Sequence, residues 1–168
     1  MSSAGVIGKR LTLGFPGSPT RSSDIVIVNR VSAGEIPFGS PVFLNPDNTV
    51  VLFGAGAADA RFLGFAVRIV KQQQAIFESV GSYHAGELTD VLTRGSIAVP
   101  FKSAGTPTAG GTVYVRVAAN APFPDAQIGD VEAAADGVNT VELSGVRFTT
   151  GETDTSGVIE VTVTERRV

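Results

Sequence analysis

The sequence contains no cysteine and no tryptophan, with one histidine, one methionine and two tyrosines. Without cysteine there is neither a disulfide framework nor a thiolate zinc site, and redox chemistry says nothing about compartment. A single histidine leaves only carboxylates as further metal ligands, a poor set for zinc. Charge is also scarce. Charged residues make up 17% of the chain, against about 25% in ordinary soluble proteins. Three lysines, ten scattered arginines and a net charge of −3 form no basic patch, so nucleic acid is not an expected partner. No apolar run approaches the roughly 18 residues that span a membrane. The stretch MSSAGVIGKRLTLGFPGSP lacks the basic region and sustained apolar core of a secretory signal.

What is abundant is glycine and proline, 20 and 9 of 168 residues. Together they exceed the roughly 12% of an average domain, which favours short strands and tight turns over long helices. Mean hydropathy is +0.23. An apolar, weakly charged chain of this size predicts that other chains cover part of its surface. One core is expected, with no internal repeat.

Residues 1–24 carry glycines at 5, 8, 14 and 17 and prolines at 16 and 19. Such a stretch builds no packed element alone and reads as an extended arm, with residues 25–168 as the body. Ile25–Val31 is the first expected strand, and Ser32–Glu35 a turn. Pro41–Leu44 and Thr49–Phe53 form a hairpin around Asn45-Pro46-Asp47-Asn48, whose residues suit a tight turn. Arg61–Ile69, Ala75–Val80, Leu88–Leu92 and Ile97–Phe101 follow, with Arg94-Gly95 placed where a hairpin turn is expected. Lys71–Gln74 has room for one helical turn only. Thr112–Val117 alternates, Val113, Val115 and Val117 on one face and Tyr114 and Arg116 on the other. After a proline-bearing loop at 119–126 come Asp130–Ala134, an Asp136-Gly137 turn and Thr140–Thr149. Val158–Thr164 sets Ile159, Val161 and Val163 against Glu160, Thr162 and Thr164. About ten short strands predict an all-β barrel or sandwich.

Candidate chemistry is thin. Gly54-Ala55-Gly56-Ala57-Ala58-Asp59 opens like a dinucleotide-binding loop. That loop needs a helix after it and a small residue where Asp59 stands. Here a strand follows, and a carboxylate would meet the phosphate, so a loop joining two strands is the better reading and no cofactor is expected. His84 lies near Ser82 and Asp90, but no G-x-S-x-G elbow accompanies it, and a surface histidine is expected. Glu152-Thr153-Asp154 lacks the spaced acids of an EF-hand loop. No P-loop pattern ends at Lys9, Lys71 or Lys102. Paired carboxylates of the kind used on glycosides meet only in space and leave no mark in sequence.

The stretch FLGFAVRIV, then Tyr83-His84-Ala85-Gly86-Glu87-Leu88-Thr89-Asp90-Val91-Leu92-Thr93-Arg94-Gly95-Ser96-Ile97-Ala98-Val99, then GGTVYVRV, resembles the cement or decoration proteins of tailed-bacteriophage capsids. The resemblance covers roughly residues 25–117. It implies a small β-rich, non-catalytic protein that binds the outer surface of the major-capsid-protein lattice and reinforces the virion head. In the arm, Leu11, Leu13 and Phe15 alternate, as an added strand with one apolar face would. Lys9, Arg10 and Arg21, with Arg166 and Arg167 at the other end, are expected to meet acidic groups of a capsid subunit. An arm of this size gains about 12 kcal/mol from ~500 Å² of apolar contact and loses a similar amount in ordering ~15 residues. Firm attachment then needs several arms on one body, hence an expected homotrimer, with a homodimer as the alternative. A second function class, a carbohydrate- or receptor-binding β module, is poorly served by two tyrosines and no tryptophan.

Overall fold

The computed structural model describes residues 13–68, 81–102 and 105–165. Within them the chain is all-β. Its strands are β1 (Pro19–Val31), β2 (Ile36–Pro37), β3 (Pro41–Leu44), β4 (Val50–Leu52), β5 (Phe62–Ala66), β6 (Ser82–Tyr83), β7 (Leu88–Pro100), β8 (Thr112–Arg116), β9 (Val131–Glu132), β10 (Thr140–Thr153) and β11 (Val158–Val163). Two 3-10 turns, Asp59–Arg61 and Gly137–Asn139, are the helical content of these residues. The expected strand at Ala75–Val80 and the helical turn at Lys71–Gln74 lie outside the described residues.

Eight strands run in the order β4-β3-β5-β7-β11-β10-β8-β9, β1 joins the same sheet through β7, and β2 and β6 form a separate pair. The long strand β7 organises this arrangement. Leu92 pairs with Phe65 of β5, whereas Ile97 pairs with Val161 of β11. One edge of β7 thus serves β5 and then β11, while β1 accompanies the other edge from Leu88 to Ile97. Arg94-Gly95 therefore lies inside a continuous strand and makes no hairpin, a correction to the sequence reading. The backbone pairing available on both sides outweighs the local turn preference of a single glycine.

No ladder joins β4 to β9 among the described residues, so the closed barrel among the two expected architectures does not form. A single parallel bridge, Phe101 to Val131, brings the end of the sheet back beside the exit of β7. The sheet curls on itself as an open, sandwich-like fold. Its larger core holds Phe53, Phe62, Phe65, Leu92, Val113, Val115 and Phe148. A smaller core holds Ile36, Phe38, Val42, Leu63, Tyr83 and Val91. Strand β5 feeds both, Phe62 and Phe65 to one and Leu63 and Ala66 to the other. Gly64 makes that possible, because a Cβ there would lie 2.0 Å from the Leu92 carbonyl oxygen. Tyr83 is fully buried, its hydroxyl donating to the Val67 carbonyl at 2.7 Å. Burial pushes that phenol up to about 12.

Two local readings stand. Asn48 adopts φ 66° in the β3–β4 turn, and its N–H reaches the Asn45 carbonyl at 3.0 Å. The hydroxyl and N–H of Thr49 hold the Asp47 carboxyl below the usual carboxylate range. The Gly54–Asp59 segment leads through one 3-10 turn straight into β5, so it presents no helix N-terminus to a phosphate.

Candidate functional site

The described part of the leading segment is stitched to its own body. Phe15-Pro16-Gly17-Ser18 is a tight turn closed by the Ser18 N–H on the Phe15 carbonyl at 3.0 Å, with Gly17 at φ 84°. Proline then glycine at the two central positions suits a turn needing a positive φ at the second. Gly17 donates to the Ala98 carbonyl of β7 at 2.7 Å and accepts from the Arg68 N–H at 2.8 Å; Ala98 returns its N–H to Ser18 at 3.0 Å. Gly39 lies against this turn. A Cβ on Gly17 would sit 2.9 Å from the Gly39 nitrogen, and a Cβ on Gly39 2.7 Å from the Gly17 nitrogen. Two glycines facing each other let the segment lie directly on the sheet.

Side chains tie down both ends of this strap. At its start the Leu13 N–H donates to Asp154 Oδ2 at 3.2 Å, while Asp154 Oδ1 accepts the N–H groups of Ser156 and Val158 at 2.8 and 3.0 Å. Burial works against the Asp154 charge, yet these three donors hold its carboxyl below the usual range. The Glu152-Thr153-Asp154 loop therefore spends this carboxylate on main-chain donors. At the other end the Thr20 hydroxyl and Arg21 Nε reach Glu160 Oε1 at 2.5 and 3.0 Å, with Arg21 Nη2 on Oε2 at 3.3 Å. Glu160 raises the Arg21 guanidinium above its ordinary value, by hydrogen bonding first and charge second. Alternation along β11 sets Glu160 on the face opposite Ile159, Val161 and Val163; it is 3% exposed because Thr20 and Arg21 of β1 cover it.

The expected contact residues separate accordingly. Leu13 is half-buried and docked through its main chain. Arg21 is ion-paired within its own chain. Phe15 is 65% exposed, and the Arg68 guanidinium lies 4.6 Å from its ring centre and 5.8 Å from that of Phe38. Lys9, Arg10, Leu11, Arg166 and Arg167 lie outside the described residues. Strand β1 begins at Pro19, six residues before Ile25, because Pro19 and Arg21 already pair with Ile97 and Ser96 of β7.

A second polar cluster escaped the sequence reading. Arg116, assigned by alternation to a polar face, is fully buried. Its Nε and Nη2 reach Glu132 at 2.5 and 2.9 Å, and its Nη1 reaches Asp136 Oδ2 at 2.8 Å. Asn120 donates to both Asp136 oxygens at 3.0 and 2.8 Å, and the Phe123 ring centre lies 5.7 Å from the guanidinium carbon. The loop between β8 and β9 thus folds back over that face of the sheet. Asn120 first and Arg116 second depress the Asp136 carboxyl, while Glu132 raises the guanidinium. A lone arginine in a valine strand followed by acids 16 and 20 residues later was the only signal available.

Little else is equipped for chemistry. His84 is exposed, and its main-chain N–H donates to Glu87 Oε2 at 2.7 Å. A cleft of about 400 Å³ lies between β1, the middle of β7 and the end of β11. Its one carboxylate, Asp24, is paired to Arg94 at 2.8 Å. Among the described residues no three metal-ligating side chains come together.

Comparison with known proteins gives one consistent answer. A family model described as XM1 gp53 minor capsid protein matches residues 5–163. No curated protein matches. Among solved structures, a chain of "The capsid of Myoviridae Phage XM1" shares the fold with a TM-score of 0.70 at 15% identity, covering 99% of this chain and 100% of its own.

Proposed function

Because this chain belongs to the XM1 gp53 minor capsid protein family, and is thus a structural protein of a phage capsid, we propose that it acts as a cement protein. In this reading it binds the outer surface of the major-capsid-protein lattice and braces the head against internal pressure. The reaching arm is the leading segment, residues 1–24. The strap from Leu13 to Arg21 is its root, and it is the observation that carries the reading. Arg21–Glu160, Gly17–Ala98 and Leu13–Asp154 fasten its described part, residues 13–21, to the body. Fully extended, the twelve residues ahead of Leu13 would reach at most about 40 Å, enough to meet a neighbouring subunit. Phe15, exposed beside Arg68, supplies an aromatic and arginine pair of the kind that concentrates binding energy. Copies act together, as a homotrimer or alternatively a homodimer, because one arm alone gains little over its ordering cost.

The carbohydrate-binding alternative draws no support from the tyrosines, since Tyr83 is buried and Tyr114 half-buried in the sheet. The deciding experiment mixes purified protein with capsids lacking it and measures co-sedimentation. Deleting residues 1–12, which keeps every contact from Leu13 to Arg21, is expected to leave the melting curve unchanged and to cost at least tenfold in affinity, about 1.4 kcal/mol. Unchanged occupancy with an unchanged melting curve refutes the arm.

A further inference from the structure

A row of paired residues crosses four strands on the face turned away from the larger core. Arg147 of β10 pairs with Thr162 of β11, Thr162 with Ser96 of β7, and Ser96 with Arg21 of β1. Residues directly opposed in antiparallel strands share a face. Two hydroxyls therefore lie between two arginines, over a span of about 14 Å at the usual strand spacing. Arg94, two residues before Ser96, joins Arg21, Ser96 and Thr162 in lining the cleft of about 400 Å³.

Hydrogen-bond donors are left over in this cleft. Arg94 spends Nε on Asp24, and Arg21 spends Nε and Nη2 on Glu160. Among the described residues, the two terminal nitrogens of Arg94 and Nη1 of Arg21 meet no acceptor. Ser96, Thr162 and Thr149 are joined by two contacts of 2.8 Å. Three hydroxyls carry three hydrogens, so one hydrogen finds no acceptor within that chain. Ser96, 5% exposed, is the end of the chain that lines the cleft. Both guanidiniums stay within reach of solvent, the Arg21 side chain 61% and the Arg94 side chain 44% exposed.

We propose that this cleft is a carboxylate-binding site, filled by an acidic side chain on an extended segment of a capsid-shell subunit. It rests on the capsid reading for the identity of that partner alone. Leftover donors select an anion, and a guanidinium fork matches the two oxygens of a carboxylate. Charge selects a single one. Arg21, Arg94 and Arg147 face Glu160 and Asp24, which leaves one positive charge for one carboxylate to balance. A phosphate, near −2 at neutral pH, overshoots that balance and meets Asp24. The volume is at the small end of ligand sites, with room for a side chain and its flanking main chain but not for a folded element. Asp24, its side chain 64% exposed on Arg94, is the internal competitor for the incoming group.

The probe is acetyl-Gly-Asp-Gly-amide, one carboxylate on a short main chain, with acetyl-Gly-Asn-Gly-amide as the neutral control. Titrated into isotope-labelled protein at constant ionic strength, the Asp peptide alone is expected to give saturable NMR shifts. They fall on the Nε–H signals of Arg94 and Arg21 and on the Ser96 amide. Arg94→Gln is expected to weaken binding about tenfold, as the loss of a charge-assisted contact does. Asp24→Asn is expected to tighten it about threefold, because an exposed ion pair no longer competes for Arg94. The double variant Asp24→Asn/Arg94→Gln leaves no carboxylate bare and is expected to bind as poorly as Arg94→Gln. It keeps the test readable should the single variant fold poorly. In co-sedimentation with capsids lacking the protein, Arg94→Gln is expected to lower affinity and Asp24→Asn to raise it. Equal shifts from both peptides, peptide binding indifferent to Arg94→Gln, or inorganic phosphate bound more tightly than the Asp peptide each overturn the proposal. Peptide binding with capsid affinity unmoved by either variant overturns the assignment of the occupant to the shell. Because the titration uses no capsids, parent protein that binds the peptide but not capsids refutes the capsid reading and leaves the carboxylate site in place.

Discussion

Replacing Glu132 by Gln isolates what the buried arginine contributes. The amide has the same shape as the carboxylate, but one of the two atoms facing Arg116 becomes a donor, so Nε or Nη2 confronts N–H instead of oxygen. Both side chains of the native pair are fully buried, and the contacts are 2.5 and 2.9 Å. Removing one partner of such a pair costs about 3–5 kcal/mol. Asp136 still holds Nη1 at 2.8 Å, which places the expected loss near the lower end, about 3 kcal/mol. For a domain of this length each kcal/mol moves the melting temperature by about 2–4 °C, so calorimetry is expected to register a fall of about 6–12 °C. The companion variant Arg116→Met/Glu132→Leu removes the charge along with its partner. It is expected to melt within a few degrees of the parent, since apolar replacement of a whole buried pair is often neutral or better. Hydrogen exchange in residues 118–136 is nevertheless expected to rise in the double variant, because Asp136 and Phe123 lose the guanidinium they rest on. The reasoning fails if Glu132→Gln melts like the parent, or if the double variant is as unstable as the single one.

Three further outcomes follow from the geometry. Gly64→Ala pushes a methyl to within 2.0 Å of the Leu92 carbonyl and is expected to cost about 3 kcal/mol by forcing β5 off β7; a urea midpoint equal to the parent's refutes that packing. Asp47, Asp136 and Asp154 all have carboxyls held below their ordinary values in the folded state. The unfolded chain therefore binds more protons as pH falls, so their stabilisation is full above about pH 4 and lost as pH drops through the lower folded values. Asp154→Asn is expected to flatten that acid limb in a pH series of denaturation midpoints, and an unaltered limb counts against the three-donor carboxylate. Arg21→Ala leaves Glu160 buried with Thr20 as its remaining strap partner. Limited proteolysis is expected to cut between residues 13 and 24 faster than in the parent while the sheet core stays protected, and equal cutting rates would show that the ion pair does not hold the strap.

The all-β class was legible because it is written in local geometry. A strand alternates its side chains with period two wherever it lies, so the valines of β8 and β11 announced their buried face, and Asn45–Asn48 announced a turn by its residue types. The same periodicity misplaced Arg116 and Glu160. It assigns residues to two faces without saying what lies over each, and here the β8–β9 loop covers one and β1 the other. It also split β7 at Arg94-Gly95, since a glycine suited to a turn looks the same whether or not β1 and β11 arrive to keep the strand extended. The leading segment shows the division most plainly. Its glycines and prolines determined that it could not pack by itself. That residues 13–21 nevertheless lie flat on the sheet was decided by Asp154, Ala98, Gly39 and Glu160, groups more than twenty residues distant in sequence and adjacent only once the chain has folded.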